Sequence, residues 1–429
     1  MKNMTSVPTT KSTVLGAALL TAAMALPSVQ FAYADAAPER GNVSFKYLNY
    51  QESQSVNTPG TSGSSTHTHD AISGATAGGS SGSASNADRI GVNAYAISAL
   101  VPIAGEWSIG TTYTYDSVSG ASPTYHTSGL THMVDHRNVI DLEATRYLSR
   151  GTVTAGTSYS KETDYISRSY SLQGSYETED KNTTFTLGGS ITNDSIDPLV
   201  KDPITGTFRH EKKDITSGVV GVTRVLSKVD IVQFNLGYSS GTGYYSDPYK
   251  FYTSATLVPV SLDNRPRDRN NTTLMGRWNH HFDGTDGTAH FSYRYYTDTF
   301  GIRAHTLGAE YVQPIENGWT VAPLLRFYSQ TEADFYVATS AAERAATTAA
   351  PFVPTTPTST YYSMDQRLSA FGAYTLGLKV SKQLNPDWLV DLKFEYYQQS
   401  SDWALAGTKD SGLATFSARS IQAGVSRQF

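Results

Sequence analysis

The residues best able to do chemistry are few and scattered. Gly237-Tyr238-Ser239-Ser240-Gly241 matches G-x-S-x-G. That motif works only on a strand-to-helix elbow, which aims the serine and frees amides for an oxyanion hole. Here an alternating segment runs into a Tyr/Gly loop with no helix behind it. A catalytic serine is not supported, and no enzymatic activity is expected. His67-Thr68-His69-Asp70 holds two imidazoles and a carboxylate, a set able to ligate Zn²⁺ or Cu²⁺. It lies in a Ser/Gly stretch that fixes no geometry, so a solvated loop is the better reading. In Asn279-His280-His281 the adjacent imidazoles leave a strand on opposite faces and cannot share an ion. Asp283-Gly284-Thr285-Asp286-Gly287 lacks the spaced ligands and closing Glu of a calcium loop and reads as a turn. No metal and no cofactor is expected.

Composition narrows the classes further. There is no Cys, which removes disulfides, thiol catalysis and Cys-bound zinc. A net charge of -5 in 429 residues gives no case for nucleic acid. Hydrophobic residues are only 39%, yet there are 28 Tyr and 35 Gly. Past the first 30 residues no apolar run reaches the roughly 18 residues of a membrane helix.

The elements that must position any site alternate with a period of two. Val390, Leu392, Phe394 and Tyr396 alternate with Asp391, Lys393 and Glu395. Val232, Phe234, Leu236 and Tyr238 alternate with Gln233, Asn235 and Gly237. Such segments recur from Gly41 onward, each about ten residues long and bounded by turns. One face suits lipid and the other suits water. An outward charge at the bilayer midplane costs roughly 2–4 kcal/mol, so the charged face must point inward. Asp141, Glu143, Arg277, Arg294, Glu310, Arg326, Arg367, Lys379, Asp391, Lys393 and Glu395 therefore become lumen-facing candidates. They either set ion preference or pair across strands and stiffen the wall.

Sixteen such segments can be counted, among them 107–116, 137–147 and 367–382. Segment 249–258 is assigned to a loop, because a strand there would break the alternation of short and long connections. Short turns should follow even-numbered strands and long loops odd-numbered ones. The expectation is an all-β, transmembrane, antiparallel up-and-down β-barrel spanning 41–429, with long loops at 52–88, 241–269 and 333–363. Residues 1–34 read as a signal peptide: Lys2 and Lys11, an apolar run from Val14 to Leu26, and an A-x-A site at Ala32-Tyr33-Ala34. Trp107, Tyr147, Trp278, Trp319 and Trp388 sit near segment ends, as interfacial girdles do.

The last segment puts Ile421, Ala423, Val425 and Phe429 on one face. It resembles the C-terminal strand of bacterial outer-membrane barrels, where a terminal aromatic serves the assembly machinery. Phe429 is thereby expected to be an assembly signal, and Arg427 departs from the pattern. In loop 241–269 the string Asp263, Arg265, Arg267, Asp268 and Arg269, stiffened by Pro266, is a candidate constriction.

Longer strings carry a resemblance. Gly237 to Lys250, Asp263-Asn264-Arg265-Pro266, Tyr293 to Ile302 and Leu325 to Gln330 are similar to a bacterial family catalogued as domain of unknown function 3570. The likeness implies an outer-membrane barrel and no established activity. The leading expectation is a channel for small polar solutes, with outer-membrane lipid and the barrel-assembly machinery as partners. The alternative is a plugged structural or binding barrel supporting a periplasmic or surface complex.

Overall fold

Inside a bilayer no water satisfies backbone amides. Alternating strands can lie there only if they pair edge to edge until the sheet closes. The computed structural model shows that closure. It describes residues 37–54, 87–120, 133–199, 201–202, 205–248, 251–253, 259–338, 360–363, 365–410 and 415–429. The first half of the wall is β1 (Asn42–Gln54), β2 (Ala87–Ile103), β3 (Trp107–Gly120), β4 (Met133–Leu148), β5 (Gly151–Lys161), β6 (Tyr165–Glu177), β7 (Thr183–Ile196) and β8 (Glu211–Val225). The second half begins with β9 (Asp230–Gly243). Two short strands, β10 (Phe251–Thr253) and β11 (Pro259–Leu262), then precede β12 (Asp268–Phe282), β13 (Gly287–Asp298), β14 (Arg303–Ile315) and β15 (Trp319–Gln330). The last are β16 (Phe371–Gln383), β17 (Trp388–Ser400) and β18 (Phe416–Gln428).

Sixteen of these form one closed antiparallel barrel, and β10 and β11 pair only with each other. The described part of segment 249–258, residues 251–253, thus adds nothing to the wall. The seam joins β1 to β18, with Asn42 opposite Gln428 and Val43 opposite Arg427. Sixteen strands spaced about 4.8 Å apart and tilted about 40° enclose a ring roughly 30 Å across.

The outer face is apolar. Phe45, Ile97, Ile109, Leu187, Leu325 and Leu392 are all exposed. A wall whose largest exposed groups are aliphatic and aromatic matches lipid rather than water. Trp107, Trp278, Trp319 and Trp388 gather toward the short-turn end. Three of them carry a cation: Arg146 lies 5.1 Å from the Trp107 ring centre, Lys382 5.1 Å from Trp319, and Arg427 5.4 Å from Trp388. Arg427 is therefore accommodated as one of a set of interfacial cation–indole pairs. Tyr147 differs from the expected girdle: its hydroxyl meets Ser108 on the inner side, 3.1 Å away.

The two ends are unlike. Seven tight connections close one end, and Ala104, Lys181, Asp286 and Asn317 take positive φ in four of them. The other end carries the longer connections, with two exceptions. Residues 162–164 and 299–302 are as short as the turns opposite, so the rule that every odd-numbered strand leads to a long loop fails there. Strands also run further toward this end than expected. β3 reaches Gly120 rather than 116, and β4 starts at Met133 rather than 137. Beyond the lipid the outward face need not be apolar, so alternation fades while backbone pairing continues.

Candidate functional site

The inner wall carries charge on β4 and along a second arc that runs from β12 round to β1. On β17, Asp391, Lys393 and Glu395 alternate with the exposed Leu392 and Phe394 and so face inward. Lys393 forms an ion pair with Glu395 at 3.0 Å. Lys379 on β16 lies opposite Lys393 in the register. Lys46 on β1 belongs to the same group, close to Asp391, Lys379 and Lys393. Gly424 on β18 lies between Asp391 and Lys46. A Cβ there would meet the Asp391 carboxylate at 2.8 Å, so the missing side chain lets that carboxylate lie across β18 toward the lysine.

The same parity places the other candidates. Arg326 lies between the exposed Leu325 and the half-buried Phe327, both on the opposite face, and pairs with Gly308 and Thr375. Arg294 donates to Thr306 at 3.4 Å and is exposed although it faces the lumen. Arg277 and Glu310 both neighbour His290, whose Nδ1 lies 2.7 Å from Asn279 Oδ1. Asp141 and Glu143 on β4 alternate with the exposed Ile140 and Leu142. Between these charged walls, β5 to β8 present Ser158, Ser169, Ser190, Thr192 and Ser217 inward. Of the adjacent imidazoles, His280 meets Asp230 at 2.7 Å, while His281 meets Thr288 at 3.2 Å.

Arg367 is the correction. The alternation over 367–382 predicts it on the lumenal face of a strand. β16 starts only at Phe371, and residues 366–368 form a single 3-10 turn. Arg367 there binds Asp365 and reaches Asp247 at 3.0 Å. The reason is local: Asp365 caps the turn by accepting from the Arg367 amide, which fixes a bend where a strand was expected.

That turn belongs to a packed cap at the long-loop end. Arg265 donates to Asp263 at 2.6 Å and to Asp365 at 2.8 Å, and all three are buried. Asp247 receives Arg367 and donates its amide to Asp263 at 2.8 Å. Asn264 exchanges backbone hydrogen bonds with Tyr362. Below this network an apolar cluster joins two connections, Phe300 and Ile302 from one and Ala333, Phe335 and Leu368 from the other, with Tyr245 and Tyr296 against them. The rest of the candidate string is divided. Arg267 pairs with Glu211 on β8, Arg269 pairs with Asp298 on β13, and Asp268 is exposed at the start of β12. So Asp263 and Arg265 anchor the cap, whereas Arg267 and Arg269 tie its base to the wall.

One family model covers most of this chain: "Protein of unknown function (DUF3570)" matches residues 16–131 and 126–420. The chain belongs to the DUF3570 family. No curated protein is similar in sequence. Among solved structures, the toluene transporter TodX of Pseudomonas putida aligns over 98% of this chain and 95% of its own, with 10% identity and a TM-score of 0.38. A bacterial polysaccharide outer membrane secretin aligns over 90% and 98%, with 8% identity and a TM-score of 0.44. The siderophore receptor PirA of Pseudomonas aeruginosa aligns over 85% of this chain, with 9% identity and a TM-score of 0.40; the match spans 56% of the receptor. Likeness at these levels carries no solute and no partner over to this DUF3570 chain.

A second polar group sits at the same end of this DUF3570 barrel, on the opposite side. Arg137 donates to Asp116 at 2.7 Å, and both are buried. Beside them the ligand atoms of Asp135, Glu162 and Asp164 lie within 4.8 Å of one another. Burial pushes Glu162 up to about 8; Arg137 opposes this, and the neighbouring carboxylates of Asp135, Asp164 and Asp116 add to it. The folded protein therefore holds a proton on Glu162 between pH 4.5 and about 8, where the unfolded chain has lost it. Folding in that window binds more protons than unfolding, so this end loses stability as pH rises through it. Amide protection factors across 133–137 and 162–166, which remove the intrinsic rise of exchange with pH, should be lower at pH 8 than at pH 5, and Glu162→Gln should flatten that difference. An unchanged pH response in the variant would refute the assignment.

Lys46, Asp247, Asp365 and the Asp135–Glu162–Asp164 group were not singled out from the sequence. Lys46 had a signal, since it alternates with Phe45 and Tyr47. The others sit in connections, where no period exists to read. Residues 1–34 and the His67, His69 and Asp70 group lie outside the described residues. Phe429 is exposed and pairs with Gly41 through both backbone groups, at 2.9 and 3.0 Å.

Proposed function

We propose that this protein is an outer-membrane channel for small polar solutes. The supporting observation is the exposure of charged side chains that face inward at mid-barrel, Glu143 and Arg294 above all. Ionised groups stay exposed in a barrel interior only where water fills it. The apolar outer face and the cation–indole pairs support a membrane setting, and the tight turns fit the periplasmic side. The cap favours a second reading, a barrel closed by its own loops that serves as a structural or binding element. Planar-bilayer recording separates the two. A channel gives discrete conductance steps, and deleting 244–266, which removes Asp247, Asp263 and Arg265, should enlarge them. Silence from both the intact and the deleted protein would sink the channel reading.

A further inference from the structure

We propose that the middle of the lumen is a charge-separated recognition zone, which passes small solutes bearing both an anionic and a cationic group ahead of uncharged solutes of equal size. The proposal rests on the channel reading and names the solute class for it.

The placement comes from the strand order. β14 is eight strands from β4 whichever way the barrel is followed. Asp141 and Glu143 on β4 therefore stand across the lumen from the wall centred on β14. That wall carries Arg277 on β12, Arg294 on β13, Arg326 on β15 and Lys379 on β16. Height agrees as well. Strands of a closed barrel are tilted, so the register walks toward one end in one direction and toward the other end in the opposite direction. From Asp141 it passes Ser158, Ser169, Thr192 and Ile215 to Gly241, at the long-loop end of β9. The other way it passes Thr112, Ser98, Ser44 and Ser426 to Leu389, at the short-turn end of β17. Midway between the two walks on β14 lies Gly308, and Arg326 is its register partner, with Arg294 paired to Thr306 beside it.

The separation survives local pairing. Glu395 neutralises Lys393, Asp391 lies by Lys46, and Glu310 shares the surroundings of Arg277. Among the described residues Arg294, Arg326 and Lys379 have no carboxylate within ion-pair distance, and Asp141 and Glu143 have no cation. At the height of Asp141, β5 to β8 supply hydroxyls, Ser158, Ser169 and Ser217 among them, and the inward Asp194 and Lys213 nearer the long-loop end pair with each other at 3.1 Å. A singly charged ion is drawn to one wall and repelled by the other, so its net preference is small. A solute with both charges can lie with each end toward its opposite. In bulk water one unit charge about 4 Å from its opposite gains a factor of about five; at either wall a small solute gains this at one end while its other end points across the lumen toward the opposite charge.

The chain has no Cys, so a single introduced thiol can be given either charge after the barrel has folded. Asp141→Cys and Arg326→Cys are made in the full chain and reconstituted in bilayers and liposomes. They are then treated with cationic or anionic methanethiosulfonate. Reversal potentials in a KCl gradient should be near zero for the unmodified protein. They should move toward cations in Arg326→Cys and toward anions in Asp141→Cys. The cationic reagent should restore the first and the anionic reagent the second. Liposomes should swell several-fold faster with glycine than with glycolamide, its uncharged isomer, and either variant should lose that advantage. If Arg326→Cys does not fold, Lys379→Cys carries the same expectation. Steady conductance with equal swelling by the two isomers overturns this inference alone. So does a thiol at either position that no reagent reaches, or a selectivity indifferent to reagent charge. Absence of conductance and swelling overturns the channel reading and this inference with it.

Discussion

Arg265→Ala should unpack the cap and leave the barrel closed. Arg265 is the only cation that bridges Asp263 and Asp365, at 2.6 and 2.8 Å, among the described residues. Both carboxylates are buried, and Asp263 Oδ1 already lacks a hydrogen-bond partner. Removing the guanidinium strands two buried carboxylates beside a single remaining cation, Arg367. Breaking one side of such a buried network costs about 3–5 kcal/mol. The loss stays local, because the wall is held by its own backbone ladders and the cap is a separate unit of opening. Limited proteolysis should then cut within 241–269 and near 360–370, while the barrel keeps its folded electrophoretic mobility. Replacing the trio together, Asp263→Leu with Arg265→Met and Asp365→Leu, should recover much of the protection, since no buried charge is left behind. Acid should help the single variant too. Burial already holds Asp263 above the usual carboxylate range, and Arg265 is the main influence pulling it down. Without Arg265 the group takes a proton more readily. A folded-state pKa above the unfolded one means stability that falls as pH rises, so cap protection in Arg265→Ala should return on acidification. Wild-type protease resistance in the variant at neutral pH would show that the network does not hold the cap.

What was legible in the chain follows from where a period exists. Along a strand in contact with lipid on one side and water on the other, each residue type reports its own face. Asp391, Lys393 and Glu395 could be assigned inward from their neighbours alone, and so could Arg294 and Arg326. The strand count followed for the same reason. Legibility stops where the lipid stops. The stretch of β4 from Asp135 to Asn138 is polar on both faces, and its pairing with β3 is set by the ladder rather than by burial. Arg367 illustrates the other limit. Its surroundings are Asp365, two residues away, and Asp247, 120 residues away. No local pattern announces a partner at that distance. Phe300 and Ile302 from one connection and Phe335 and Leu368 from another form one cluster, yet no period within either connection marks them.

The sharpest check on the faces uses two neighbours. Leu325→Arg should block assembly into the membrane, whereas Arg326→Leu should assemble normally. Leu325 is exposed and lies between Ala309 and Leu376 in the register, the latter exposed as well. It therefore sits in the lipid belt near the middle of β15. A guanidinium at that depth costs roughly 2–4 kcal/mol, and the strand cannot turn it inward without turning every other side chain outward. A loss of that size is a large part of the 5–15 kcal/mol typical of a folded protein. Arg326 points the other way, where the described residues offer it no carboxylate, so its removal breaks no ion pair and exposes no charge to lipid. Urea unfolding in phospholipid vesicles reads the difference directly. The expected order is a strongly lowered midpoint, or no folded fraction at all, for Leu325→Arg, and a midpoint near wild type for Arg326→Leu. Equal losses in the two would mean that adjacent residues of β15 share one environment, which a lipid-facing strand with a period of two does not allow.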